Sequence, residues 1–519
     1  MLSLRIEWAI FILVVLLGAG SSLTAQSRDD DYFDIVSFAS QGRSVAAELA
    51  ELNGDGRVDL FVVALVGMPP EEKRIVRVYL QGRDGSLPTE PSHTLTLPRW
   101  SAVYDVADLR EEFPGEELVL MRPDRVTLLS LADARGRSWD ISVPGPTTAG
   151  LADDERGLEP FRIVYGDFGR EPWLLVPQLG ELTALTADGV VRARFAVPRR
   201  ANYIIIPPVG LLALESDLQI RLDVPKLSLG DVNGDDRTDV IFSTRHEIRV
   251  FLRAEDGGFS FEADRVLPLR LVTPRDHIRA SGGVMTDIKD IDGDGRVDLL
   301  ISHVQGSVSD STTTMYVYLN RDGEWKLDQP TQVLISQGRY AFNALYDLNA
   351  DGRVELVRVG LKFSRLEILE LLLSQELDVE ISVHRFDEAE GFEEDPWKRR
   401  KIELPFSFET GRFRGFIPTA DVDLNGDGYL DFVNSGEGLA LEIHLGGDEG
   451  PFGRRSARQK MSTAGVIHFG DLDANGLADF VIFDPHNFDV PVRVGRNLGR
   501  LPGSAVPEPV VVGQDKGVP

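Results

Sequence analysis

The stretch Asp290-Ile291-Asp292-Gly293-Asp294-Gly295-Arg296-Val297-Asp298 decides how this chain is read. Carboxylates stand at positions 1, 3, 5 and 9, and glycines at 4 and 6, with a hydrophobic run starting at Leu299. In a tight turn alternate residues point inward, so Asp290, Asp292 and Asp294 converge and Asp298 closes the cage. Calcium is a hard cation that takes six to eight oxygen ligands at roughly 2.3–2.6 Å. Position 7 offers its backbone carbonyl, which leaves the Arg296 side chain free of that duty. Gly295 permits a positive φ that most residues resist.

The pattern recurs five times. Positions 1, 3, 5, 7 and 9 are Glu51, Asn53, Asp55, Arg57 and Asp59 in the first copy. They are Asp231, Asn233, Asp235, Arg237 and Asp239 in another, and Asp347, Asn349, Asp351, Arg353 and Glu355 in a third. The last two carry Asp423, Asn425, Asp427, Tyr429 and Asp431, then Asp471, Asp473, Asn475, Leu477 and Asp479. Shorter or longer versions start at Asp108 and Asp167 and read as repeats whose metal site has decayed. With them the starts fall at 51, 108, 167, 231, 290, 347, 423 and 471, a repeat of about 60 residues. An EF-hand would need a bidentate Glu at position 12. That position holds Val62, Phe242, Ile301, Arg358, Asn434 and Ile482. Asp, Asn and Gly also favour plain turns, but six copies in register, each closed by a carboxylate, argue against a metal-free turn.

These repeats resemble the FG-GAP or VCBS repeats of integrin α-subunit heads and many bacterial extracellular proteins. Phe469-Gly470 before Asp471 keeps the FG element, and with no clear GAP tripeptide the bacterial VCBS form is the nearer pattern. The resemblance implies an all-β fold, a β-propeller with calcium loops between adjacent strands of a blade. It implies up to about six calcium ions. Glu51 and Glu355 depart from the usual Asp, and Asn475 weakens its loop by one charge.

Arg5 and the apolar run Trp8–Leu17, then Leu23-Thr24-Ala25-Gln26, read as a secretory signal peptide over 1–25. The expected location is therefore secreted, periplasmic or cell-surface, with no transmembrane segment after cleavage. There is no Cys in the chain, so disulfides cannot staple it and metal is the natural substitute. The formal charge of −28 argues against nucleic acid, whose phosphates want a basic face. The six loops hold 19 carboxylates at ligand positions, so six calcium ions would leave about −16.

Each repeat has the same grammar: a strand into the loop, a hydrophobic strand out, an alternating third strand, a turn with one large apolar residue, and a fourth strand. Four strands in some 60 residues make one propeller blade. The propeller is expected over 26–501 with a Pro/Gly-rich tail at 502–519. Eight repeats predict eight blades, with seven as the alternative. The last repeat lacks a fourth strand, so Tyr32–Phe38 is expected to supply it and close the ring, with Val510–Val512 as the rival. The apolar residues Leu87, Phe259, Trp325, Phe392, Phe452 and Leu501 are read as packing between blades. Ser364 to Glu367 has a capping pattern, and Leu366, Leu369, Leu372 and Leu373 recur at helical spacing, which predicts a short helix at about 364–376.

No nucleophile elbow, phosphate loop or zinc-helix motif occurs. Function is therefore read as a non-catalytic, calcium-stabilised binding or adhesion propeller with an extracellular protein or glycan partner. The alternative is a propeller enzyme, a lyase or hydrolase acting on polysaccharide. Fold alone does not decide between them.

Overall fold

The computed structural model describes residues 31–504, less short internal stretches of which 207–216, 274–281 and 362–370 are the longest. Blade 1 shows the plan: Arg43–Ala50, Asp59–Val66, Lys73–Tyr79 and His93–Thr96 pair antiparallel in chain order. Eight such sheets follow one another, their first strands beginning at 43, 103, 164, 226, 283, 340, 419 and 466. The ring has eight blades.

Second strands have neighbours on both faces and read as unbroken apolar runs. Asp239–Ser243, Asp431–Ser435 and Asp479–Phe483 are buried at every position. Fourth strands such as Arg265–Pro268 face water on one side and alternate. The core is divided in the same way: eight apolar clusters, each filling the seam between two adjacent blades. First strands line the centre, where side chains cross from blade to blade. Glu48 accepts the Tyr104 hydroxyl at 2.6 Å and pairs with His468 at 2.8 Å, and Lys226 meets Asp287 at 2.7 Å.

The N-terminal strand closes the ring as expected. Phe33–Phe38 pairs antiparallel with Val492–Asn497, in register from Phe33 opposite Asn497 to Phe38 opposite Val492. Phe33 packs edge-on to Phe480 at 5.0 Å and Phe38 to Tyr79 at 4.8 Å, so the strand is tied to blade 8 and blade 1 at once. The rival strand Val510–Val512 lies outside the described residues, as do the signal segment 1–25 and Phe452.

Three features differ from the expected plan. A hairpin, Ala201–Ile206 with Asp217–Leu222, stands between blades 3 and 4, outside the repeat plan. Two blades gain a fifth strand, Glu159–Pro160 parallel to the first strand of blade 2 and Arg412–Phe413 in blade 6. Of the helix expected at about 364–376, Leu371 and Ser374 are helical, most of the rest lies outside the described residues, and a strand already begins at Glu376. The packing role of the large apolar residues holds: Trp325, Phe392 and Leu501 are buried in seams.

Candidate metal centres and the clamps beneath them

In blade 5 the loop folds around its first residue. Asp290 accepts the Gly293 and Gly295 N–H groups on separate oxygens, both at 2.8 Å. Asp294 accepts the Arg296 N–H at 2.9 Å, and its other oxygen pairs with the Arg296 guanidinium. Carboxylate oxygens of Asp290, Asp292 and Asp294 lie within 4.8 Å of one another, and so do those of Asp471, Asp473 and Asp479.

The same turn is built elsewhere. Position 1 accepts backbone N–H groups in every copy: Glu51 from Gly54, Asp231 from Gly234, Asp347 from Gly352, Asp423 from Gly426 and Asp471 from Gly476. Position 5 accepts the position-7 N–H, as Asp55 does from Arg57, Asp235 from Arg237, Asp351 from Arg353, Asp427 from Tyr429 and Asn475 from Leu477. Ala350, Ala474 and Asp236 hold φ of 55°, 55° and 60° where other copies place glycine. Such non-glycine residues cost of order 1 kcal/mol or more each.

One observation tests whether these donors suit a cation. Asp292 Oδ1, Asp473 Oδ1 and Asn233 Oδ1, all at position 3, are buried and accept no hydrogen bond within the protein. An unmet buried acceptor costs about 1–3 kcal/mol. Burial, then the neighbouring carboxylates, push the Asp292 carboxyl above its ordinary range, and burial, then Asp471, does the same to Asp473. In blades 5 and 8, oxygen donors crowded together with one acceptor left unmet fit a hard divalent cation such as calcium.

Position 9 has a further duty that the spacing did not disclose. Asp59, Asp239, Asp298, Asp431 and Asp479 are almost wholly buried, and each accepts two backbone N–H groups. One oxygen takes the position-2 N–H: Leu52 at 3.1 Å, Val232 at 2.9 Å, Ile291 at 2.8 Å, Leu424 and Leu472 at 2.7 Å. The other takes an N–H at or just past the end of the third strand: Gln81, Arg253, Asn320, Gly446 or Asn497, at 2.6–2.8 Å. Glu355 keeps the first bond, to Leu348 at 2.8 Å. Each of the five aspartates thus clamps its loop to the end of the third strand of its own blade. Burial outweighs these bonds and lifts the clamps to about 6 at Asp59 and Asp239 and about 7 at Asp298, Glu355, Asp431 and Asp479.

The first bond of the clamp survives where the loop has decayed. In blade 2 Glu117 is fully buried, accepts the Leu109 N–H at 2.8 Å and is lifted by burial to about 7. It sits one position late, and its longer side chain takes up the extra residue. Gly115 packs its α-carbon face onto Glu51–Asn53, where a Cβ would meet backbone at 2.5 Å. In blade 3 the second strand begins at Trp173, so no carboxylate is there. Trp173 stacks on Phe168 at 4.4 Å and 13°, both of them buried. Asp167 itself lies outside the described residues.

A cleft of about 1260 Å³ opens on the opposite face. Its walls come from the first strands of blades 7 and 8 as far as Asp421 and Phe469, from the segments entering them and from the loops after Ser435 and Phe483, whereas the calcium-type loops leave those same strands at their other ends. Phe416, Phe469 and Ile417 supply apolar wall, and Arg414, His468 and Asp484 supply polar groups. Ile417 is 78% exposed.

A family model described as FG-GAP-like repeat matches residues 290–357, the loop of blade 5 through the start of the second strand of blade 6. No curated protein matches the chain. Among solved structures, the chain is similar to an Agrocybe aegerita lectin described as recognising non-reducing terminal N-acetylglucosamine. Identity is 15% over 91% of this chain and 96% of that one, with a TM-score of 0.38. The V. cholerae biofilm matrix protein Bap1 is similar at 11% identity over 90% and 91%, TM-score 0.34. The NanB sialidase of Streptococcus pneumoniae is similar at 9% over 88% and 69%, TM-score 0.27. Among the described residues no helix is long and apolar enough to cross a membrane.

Proposed function

The chain is an FG-GAP repeat-containing β-propeller, and from that premise we propose that it is a non-catalytic binding or adhesion module working outside the cytoplasm, with calcium in up to about six loops holding its scaffold. The observation that carries this reading is the separation of the two faces. Carboxylates with a clear pattern are concentrated on the loop face, in the loops and their clamps. The opposite face carries the cleft of about 1260 Å³ whose apolar and charged groups suit a ligand with both characters, an extracellular protein segment or a glycan. Burial of exposed Ile417 and of Phe413 by that ligand would supply affinity, and Arg414 and Asp484 would set its orientation.

One feature favours the alternative, a lyase or hydrolase of polysaccharide. His468, His486 and Arg414 line the cleft together with Asp421 and Asp484, the residue types that proton transfer at a sugar would use. A screen of the calcium-loaded protein on a glycan array and on soluble polysaccharides separates the two. Binding that Ile417→Asp abolishes, with no change in polysaccharide chain length, is the expected result. Cleavage that His486→Ala removes would replace the binding reading with the enzymatic one.

A further inference from the structure

The clamps join end to end. Asp298 Oδ1 accepts the Asn320 N–H at 2.7 Å, and the Asn320 side-chain amide donates at 2.7 Å to the carbonyl of Val232, position 2 of the loop in the preceding blade. The Val232 N–H in turn reaches the clamp Asp239 at 2.9 Å. Asp239 accepts the Arg253 N–H at 2.8 Å, and the Arg253 guanidinium donates to the Phe168 carbonyl at 2.7 Å. One belt therefore runs through blades 5, 4 and 3.

A second belt repeats the logic. Asp59 accepts the Gln81 N–H, and Gln81 Nε2 donates to the Leu472 carbonyl at 2.9 Å. The Leu472 N–H reaches Asp479, which accepts the Asn497 N–H, and Asn497 Nδ2 donates to the Leu424 carbonyl at 2.7 Å. The Leu424 N–H reaches Asp431, whose second donor is Gly446. Glycine has no side chain to pass the contact on, so the belt stops in blade 7. The loop of blade 6 touches its neighbours through two longer backbone bonds, Val354 N–H to Ile291 and Leu430 N–H to Leu348, both 3.3 Å.

Position 2 lies between the ligands at positions 1 and 3. Holding its N–H and its carbonyl fixes the two peptide planes that aim those ligands. Gln81, Asn320 and Asn497 are 5%, 1% and 2% exposed, so water does not compete for their amides. We infer that Gln81, Asn320 and Asn497 couple neighbouring cation loops, dividing the six sites into a group in blades 7, 8 and 1, a pair in blades 4 and 5, and a separate site in blade 6. The inference rests on the loops taking calcium, as proposed above. A cation that orders one loop fixes its clamp, the clamp fixes the coupling residue, and the next loop has less disorder to lose on binding its own ion. The coupling is reciprocal, and such effects typically exceed about fivefold in affinity.

The test is a calcium titration of the chain from residue 26 onward, by calorimetry and native mass spectrometry. Asp294→Ala should remove the blade 5 site and weaken one further site by about fivefold or more. In an Asn320→Gly background, which copies what blade 7 already carries at Gly446, the second effect should shrink below about twofold. Asn320→Asp keeps the side-chain shape and removes the donor, and it serves if the glycine variant does not fold. Asp351→Ala in blade 6 should leave the remaining sites unchanged. Independent sites in the wild type, or a neighbour effect undiminished without Asn320, would overturn the coupling and leave calcium binding standing. A wild type that binds no calcium would overturn the calcium reading itself, and the coupling with it.

Discussion

Blades 5 and 3 solve one packing problem with opposite chemistry. At the start of the second strand, blade 5 places Asp298, a buried carboxylate held by Ile291 and Asn320 beneath three further carboxylates. Blade 3 places Trp173 there, stacked on Phe168, which occupies position 2. In each case position 2 and the strand start must be joined, or the turn is loose against the seam. A charge joined by hydrogen bonds keeps the position open to a cation. An aromatic stack joins the same two residues by apolar burial and ends any dependence on metal. The decay of a loop is thus a change of fastening, with the blade retained.

This contrast can be broken in a graded series, from the largest effect to the smallest. Saturating calcium at one hundred times Kd adds about 2.7 kcal/mol per site, so six sites hold about 16 kcal/mol. At the usual unfolding entropy per residue, removing them lowers the melting temperature by on the order of 15 °C. Calorimetry in excess chelator measures this, and an unchanged transition would remove calcium from the account of blade 5. Next is Trp173→Ala, which empties the blade 3 stack at a cost of about 3–5 kcal/mol. That loss should be the same with and without chelator, and a calcium-dependent loss would mean that blade 3 is not metal-free.

Asp294→Ala should cost about 2.7 kcal/mol in excess calcium and close to nothing in chelator. A loss of equal size in both conditions would make the loop carboxylates structural without a cation. The smallest effect is a pH response in blade 2. Burial lifts Glu117 from 4.5 to about 7, so the folded state binds its proton more tightly than the unfolded chain. Stability from this group therefore rises as pH falls through about 7 and levels off below the unfolded value. Between pH 8 and 6 it contributes about 1 kcal/mol, and Glu117→Gln should flatten that slope. A slope unchanged in the variant would show that Glu117 titrates normally.

The sequence exposes what is local. Ligands at alternate positions within nine residues, glycine at the tight points and the strand that follows are all read along a single turn. Eight blades and the closing strand Tyr32–Phe38 follow from counting repeats and noting that the last one lacks an outer strand. Duties that depend on distant partners stay hidden. The clamp role of position 9 needs Gln81 or Asn320, each 22 residues on, but Arg253 only 14 residues on, so no fixed spacing marks it. Glu117 is displaced by one residue, and Trp173 has no carboxylate to notice. In the inserted hairpin the strand Asp217–Leu222 alternates polar and apolar residues, the period-two signal by which sequence reading finds a strand.

The ring seam has a mechanical consequence. Residues 32 and 498 leave the closing pair at the same end, with the Leu498 N–H on the Tyr32 carbonyl at 3.0 Å and Phe33 opposite Asn497. Tension between the two ends of the described chain therefore loads the outermost rung first and each rung after it in turn, as in opening a zip. Strands anchored at opposite ends would share the load along their whole length in shear. Under tension the propeller should open at the blade 8 seam while the other seven sheets keep their strands, turning a closed ring into an open arc.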